Sequence, residues 1–227
     1  MEQISETGIH VPSPDEGILE DILNERHGRR LRRSLRREGR EIDRLLRRWI
    51  DPRLSYTIRK IASTDGGRVL LEDGTVFESR KLARTVRGCR ELLCFIATIG
   101  PGIDNAVRDF AAQNRLTEMY AVDTIGSIMV EEVVETFHTL MKEKSHGNRE
   151  GVSLRFSPGY CDWPVTEQKK LFALADADRI NVTLSPSFLM FPRKSVSGVF
   201  GIGSDMHTPP YNPCLQCVKR DCPARRA

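Results

Sequence analysis

Apolar and polar positions alternate along "LSYTIRKIASTDGGRVLLEDGTVF" (54–77), with interruptions at "TDGG" and "EDG". A period of two broken by Asp-Gly turns predicts a small antiparallel meander. A short helix is expected from Ser79. The run "ELLCFIATIG" (91–100) is apolar throughout and closes on glycine, which predicts a strand buried on both faces. Gly100, Pro101 and Gly102 then form a turn ahead of the helix "IDNAVRDFAAQ" (103–113). From Leu116 to about Met141 the period becomes helical and mostly apolar, with a loosening expected at Gly126. "SHGNREG" (145–151) reads as a polar loop, "VSLRF" (152–156) as a strand, and a helix is expected from Pro164 to about "LADADR" (174–179). Short strands divided by proline and glycine follow in "VTLSPSFLMFPRKSVSGVFGIGSD" (182–205). Strands and helices mix without a βαβ rhythm, so the fold class expected is α+β with a mainly antiparallel sheet and flanking helices.

The N-terminal pattern is different. "RHGRRLRRSLRREGREIDRLLRRWIDPR" (26–53) carries Leu31, Leu35, Ile42, Leu45, Leu46 and Trp49 near helical spacing under a dense arginine face. A packed helix with solvated arginines is the favoured reading; an acidic protein partner or phosphate would be the sharper ones. No aromatics interleave the arginines as a stacking platform would require, which disfavours RNA and single-stranded DNA. Over the 227 residues, 35 basic and 31 acidic side chains leave a net charge of only +4. That balance does not by itself point to nucleic acid. No apolar run approaches the roughly 20 residues of a membrane span, and the polar start "MEQISETGIHVPSPDEG" has no secretory pattern. A cytoplasmic protein with no membrane partner is expected. Three segments are expected: a flexible N-terminus at 1–16, one domain at 17–205, and a Pro/Cys-rich tail at 206–227.

Candidate chemistry gathers in "RFSPGYCDWPVTEQKKLF" (155–172). Arg155 at a strand end can fork onto a carboxylate. Gly159 lets a ligand approach the backbone or the chain turn with positive φ. Tyr160 offers a flat face and a hydroxyl, and Pro164 suits a helix start. Any one of these fits an ordinary strand-to-helix turn with a surface arginine. A second cluster is the tail "PCLQCVKRDCP", where Cys214, Cys217 and Cys222 have the spacing C-x2-C-x4-C. With Cys161 or His207 as a fourth ligand they could hold zinc or an iron–sulfur cluster, and free thiols fit equally well.

The Arg-x-x-x-Gly-Tyr spacing, the helix after it and "LSPSFLMFPRKSVSG" (184–198) together resemble the S-adenosylmethionine-binding reactivation domain of cobalamin-dependent methionine synthase. Ser185 stands where the family usually has threonine. The helix "VEEVVETFH" (130–138) is similar to a family helix in register, and "ATIGPGID" and "DTIGS" resemble free-standing versions of the domain. The resemblance runs from about the first helix to Gly203.

That resemblance implies a single C-shaped α+β domain. It implies that S-adenosylmethionine is presented to a corrinoid whose cobalt has oxidised to cob(II)alamin, while a reducing partner such as flavodoxin supplies one electron. Methyl transfer then restores methylcobalamin. By the same resemblance Arg155 takes the cofactor carboxylate, Gly159 and Tyr160 form the Gly-Tyr pair with Tyr160 facing the corrin, and backbone at Cys161 and Asp162 continues the contact. Glu131 falls on the glutamate that reaches toward cobalt. Glu135, one turn later, reads more simply as a solvated carboxylate. An early family aspartate has no counterpart that can be located, and Tyr211 is not carried over from the family's C-terminal tyrosine region. The cobalamin is expected on a partner, a methionine synthase or another corrinoid protein, with this chain acting in trans as a methyltransferase component. The alternative is a metal-ribbon module that grips nucleic acid through the basic N-terminal helix.

Overall fold

The computed structural model describes residues 49–205 and 211–216. The expected meander forms β1 (Arg53–Ser63), β2 (Arg68–Leu71) and β3 (Val76–Glu78). At its turns Gly66, Gly67 and Gly74 all take positive φ, a conformation that costs glycine nothing. Ser79 caps α1 (Arg80–Thr85) by accepting from the Leu82 N–H at 2.9 Å. β4 (Glu91–Thr98) follows, then α2 (Gly102–Ala112) and the long α3 (Leu116–Gly147). β5 (Glu150–Val152), α4 (Gln168–Leu174), the two-residue strands β6 (Thr183–Leu184) and β7 (Met190–Phe191), and β8 (Ser195–Asp205) complete the order. Six strands make one antiparallel sheet in the order β3-β2-β1-β4-β8-β5, and β6 pairs β7 apart from it. The expected α+β architecture with an antiparallel sheet and flanking helices is the one observed.

β4 is central because its sequence has no polar face to offer. Its residues Leu92, Leu93, Cys94, Phe95, Ile96 and Ala97 are all fully buried. Leu93, Phe95 and Ala97 join Phe200 and Ile202 of β8 under Val130, Val133, Val134 and Phe137 of α3. On the opposite face Leu92, Cys94 and Val199 meet Phe77, Leu82 and Val86, with Trp163 and Leu171 closing the layer. Ile96 packs on Ala175, Ile180 and Val182. Phe95 lies 6.1 Å from Phe137 and 6.0 Å from Phe200 between ring centroids; truncating so enclosed a ring to alanine costs about 3–5 kcal/mol.

Three sequence expectations change. Helix α3 is not loosened at Gly126: a Cβ there would sit 2.6 Å from Ile103 Cγ2 and 3.2 Å from the aliphatic part of Lys194. The glycine serves close packing, and the backbone runs through it unbroken. The loop expected at 145–151 is largely ordered, since Ser145 is buried and the helix continues to Gly147 before β5 begins at Glu150. The helix expected from Pro164 starts as a 3-10 turn at Val165–Glu167 and becomes α-helical only at Gln168. No described helix is long and apolar enough to cross a membrane.

Candidate functional site

The strand expected at 152–156 does not run straight. Ser153 pairs with Gly201 of β8 (N–H to carbonyl, 2.9 Å), and Phe156 pairs with Val199 in both directions at 2.9 and 2.8 Å. The segment therefore advances three residues while β8 advances two. The surplus residue is a bulge, the usual device for re-aiming a side chain at a sheet margin. Arg155 lies within it and turns toward α3. Its Nη1 is 3.3 Å from Glu131 Oε2, and its Nη2 donates to Glu135 Oε2 at 3.1 Å. The guanidinium side chain is only 9% exposed, while the two carboxylates are 53% and 52% exposed. Glu131 and Glu135 stand four residues apart on one helix face, so one arginine reaches both.

One turn further along that face is His138, 2% exposed. Its Nε2 lies 2.9 Å from the Ser153 carbonyl, which can only accept, so Nε2 carries the proton. Burial holds the imidazole pKa down at about 4, against the opposing effect of that hydrogen bond. The ring is neutral at pH 7.

Beyond Phe156 the chain closes a tight turn. Gly159 N–H donates to Trp163 O at 2.8 Å, and Trp163 N–H to Tyr160 O at 3.0 Å. Gly159 has φ +89° and Cys161 φ +55°. The turn presents Gly159, Tyr160 and Cys161 to solvent; Tyr160 is 47% exposed. Beneath them Trp163 is buried, stacked on Phe156 at 5.8 Å and edge-on to Phe77 at 5.5 Å. The Asp162 side chain points toward the start of α1. It accepts from Ser79 Oγ at 2.6 Å, Arg80 N–H at 2.9 Å and Lys81 N–H at 3.2 Å, which satisfies the open donors at the start of α1.

The two sequence motifs meet here. A Cβ on Gly198 would lie 2.9 Å from Phe156 O and 2.8 Å from Ser157 Oγ. The glycine that ends "SVSG" is thus where the segment carrying Arg155 and the Gly-Tyr turn crosses β8. Sequence reasoning left Glu135 as a solvated carboxylate, whereas the structure pairs it with Arg155. It also missed His138 and Gly198. The i, i+4 spacing of Glu131 and Glu135 was the available signal for the first, and no local signal existed for the others.

The basic stretch at 26–53 lies, through residue 48, outside the described residues; Trp49 itself packs edge-on to Phe110 at 6.2 Å. Cys217, Cys222 and His207 also lie outside them. Cys214 is described, with its N–H donating to Asn212 Oδ1 at 2.9 Å. Among the described residues no group of three or more His, Cys, Asp or Glu is placed to hold a metal.

A six-stranded antiparallel sheet, a long helix lending two carboxylates to a nearly covered arginine, and an exposed Gly-Tyr turn define an α+β domain with one charged cluster beside an exposed turn. Residues 82–208, more than half of the chain, match the family described as vitamin B12 dependent methionine synthase, activation domain, and the chain belongs to that family. A solved structure described as the MetH reactivation domain bound to AdoHcy shares the fold with a TM-score of 0.61. The match covers 84% of this chain and 70% of that one at 20% identity. No curated protein matches the chain.

Proposed function

We propose that the chain binds S-adenosylmethionine at Arg155, Gly159 and Tyr160 and presents it to a corrinoid carried by a separate protein, supporting reductive methylation of cob(II)alamin. The observation that carries this reading is the Arg155 guanidinium, held at 3.1–3.3 Å by two half-exposed carboxylates beside an exposed Gly-Tyr turn. The AdoHcy bound to the solved structural relative supports the same ligand class.

The residues fit the ligand in kind. Arg155 offers a fork to its carboxylate, and Glu131 and Glu135, released in part, can receive its ammonium. One guanidinium and two carboxylates give this cluster a net charge of −1. S-adenosylmethionine, with sulfonium, ammonium and carboxylate, is a net cation, so the cluster complements it. Gly159 leaves room against the backbone, Tyr160 offers a flat face between ligand and corrin, and the backbone of Cys161 and Asp162 extends the contact. Glu131 would face the partner's cobalt. When bound, the ligand supplies the sulfonium methyl group, and a flavodoxin-like donor supplies the one electron that makes the partner's cobalt a nucleophile. The chain's own contribution is alignment, which is worth several kcal/mol of a transfer barrier.

On this reading the partner is a cobalamin-binding methionine synthase or a related corrinoid protein, and the chain is a methyltransferase component of methionine biosynthesis in the cytoplasm. Cys214, Cys217 and Cys222 of the tail would hold an iron–sulfur cluster or zinc.

Titration calorimetry with S-adenosylmethionine tests the site. Arg155→Ala removes a charge-assisted fork worth roughly 1.5–3 kcal/mol, a weakening of about 10- to 150-fold. Equal affinity in wild type and variant would take Arg155 out of the site.

A further inference from the structure

His138 is the one described histidine buried within the core, and ligand binding as read above makes no use of it. A buried imidazole is an unusual choice where leucine or phenylalanine would pack as well. The ring lies 4.8 Å from Phe200 and makes one polar contact, Nε2–H to the carbonyl of Ser153. Ser153 is itself buried and engaged on every side. Its N–H donates to Gly201 O at 2.9 Å, and its Oγ accepts from Gly201 N–H at 2.8 Å. That hydroxyl also donates to Leu154 O at 3.0 Å.

Ser153 is therefore fixed to β8 on one side and to α3 on the other. It stands at the start of the bulge, two residues before Arg155. His138 follows Glu135 by three residues on the same helix face. One short stretch of α3 thus contacts the segment twice, through the backbone at 153 and through the guanidinium at 155.

We propose that His138 is a positioning residue: by pinning the Ser153 carbonyl to α3 it sets the depth and direction of the bulge that places Arg155 against Glu131 and Glu135. The imidazole touches no ligand. It acts through Arg155, and its importance for S-adenosylmethionine rests on the function proposed above. Without the pin, Ser153 keeps its bonds to Gly201, and the half-exposed ion pairs of Arg155 with Glu131 and Glu135 carry more of the tie between bulge and helix. Pairs of that exposure are individually weak, and the arginine then samples other directions.

The test compares His138→Leu with His138→Gln. Leucine fills much of the same space without a donor; glutamine restores an N–H that can reach Ser153 O. Met141→Ala, one turn along α3 in the core cluster that holds Phe200, the ring packed on His138, controls for loss of packing alone. S-adenosylmethionine affinity is measured by calorimetry well below each variant's melting temperature. The expected result is a loss of about tenfold in His138→Leu, a buried acceptor having lost its donor. Affinity is expected close to wild type in His138→Gln and Met141→Ala. Adding Arg155→Ala to His138→Leu should weaken binding no further than Arg155→Ala does alone, because the two act in one chain of contacts. Wild-type affinity in His138→Leu, full additivity with Arg155→Ala, or no rescue by glutamine would each overturn the proposal.

A second readout needs no ligand. The Arg155 Nε–H resonance should be sharp in wild type and His138→Gln, and broadened or shifted in His138→Leu. If the wild-type protein binds no S-adenosylmethionine, the functional reading falls, and this resonance still decides whether His138 positions the arginine.

Discussion

Arg155 is surrounded by more negative charge than it carries. Two carboxylates share one guanidinium, yet each is about half exposed while the arginine side chain is nearly covered. The arginine is the fixed member, and the glutamates are free to rearrange. On the proposed function, a ligand carboxylate would replace a glutamate there without moving the scaffold. Tyr160 and Glu131 are proposed to face the corrin as well as the ligand, so their effects separate from that of Arg155. Tyr160→Phe and Glu131→Gln are expected to slow reductive methylation of a partner's cob(II)alamin by about tenfold or more, the scale of one transition-state contact. Affinity for S-adenosylmethionine should change by less. Unchanged turnover in both variants would show that neither side chain works at the cobalt face.

At the scale of elements, the turn at 157–163 is held from below. Trp163 fills the layer between Phe156 and Phe77, and the Asp162 carboxylate caps α1 from a distant part of the sequence. α1 is only six residues long, too short to persist without outside partners. Helix and turn therefore depend on each other. Asp162→Ala should lower stability by about 1–2 kcal/mol, the loss of a cap with a charged acceptor. The effect would appear as a lower urea midpoint at unchanged m-value. Because the same carboxylate steadies the Gly-Tyr turn, S-adenosylmethionine affinity should fall with it. Asp162→Asn, which retains an acceptor oxygen, should recover most of both; no recovery would mean that the capping bonds contribute little.

For the molecule as a whole, the buried His138 couples folding to pH. Unfolded, the imidazole titrates near 6.5; folded, burial holds its pKa at about 4. Between those values the unfolded chain binds a proton that the folded one does not, so stability falls as pH drops from about 6.5 toward 4. The slope approaches about tenfold in the folding equilibrium per pH unit. Urea titrations at pH 7.5, 6 and 5 should show this decline in wild type and not in His138→Gln; parallel curves would mean that the histidine takes up its proton equally in both states. The cysteine tail is decided separately. Anaerobic purification with metal analysis and electron paramagnetic resonance is expected to find iron with sulfide if the chain relays its own electron. Zinc would make the tail a structural clip, and a metal-free tail would leave the electron to a flavodoxin-like donor.

The sequence by itself determined most of the elements and pointed to the segment proposed to carry the site. The meander follows from a period of two and Asp-Gly turns, and β4 from an apolar run with no polar face. The strand-to-helix turn at 155–164 was legible because glycine, proline and a forked cation each have local meanings. Family resemblance went further, joining that turn to "SVSG" across more than 30 residues of chain. Tertiary structure alone decided which side chains meet. Arg155 faces α3 only because a one-residue mismatch between 153–156 and 199–201 turns it there, and pairing mismatches leave no mark in either strand's own pattern. Gly126 looked like a weak point in a helix and is a contact, because a missing Cβ reads the same whether it loosens a backbone or admits a neighbour. The side chain of Asp162 caps a helix some 80 positions earlier, a partner that nothing in its own segment announces. Local chemistry specifies what a residue can do, and only the packing of distant segments specifies which partner it does it with.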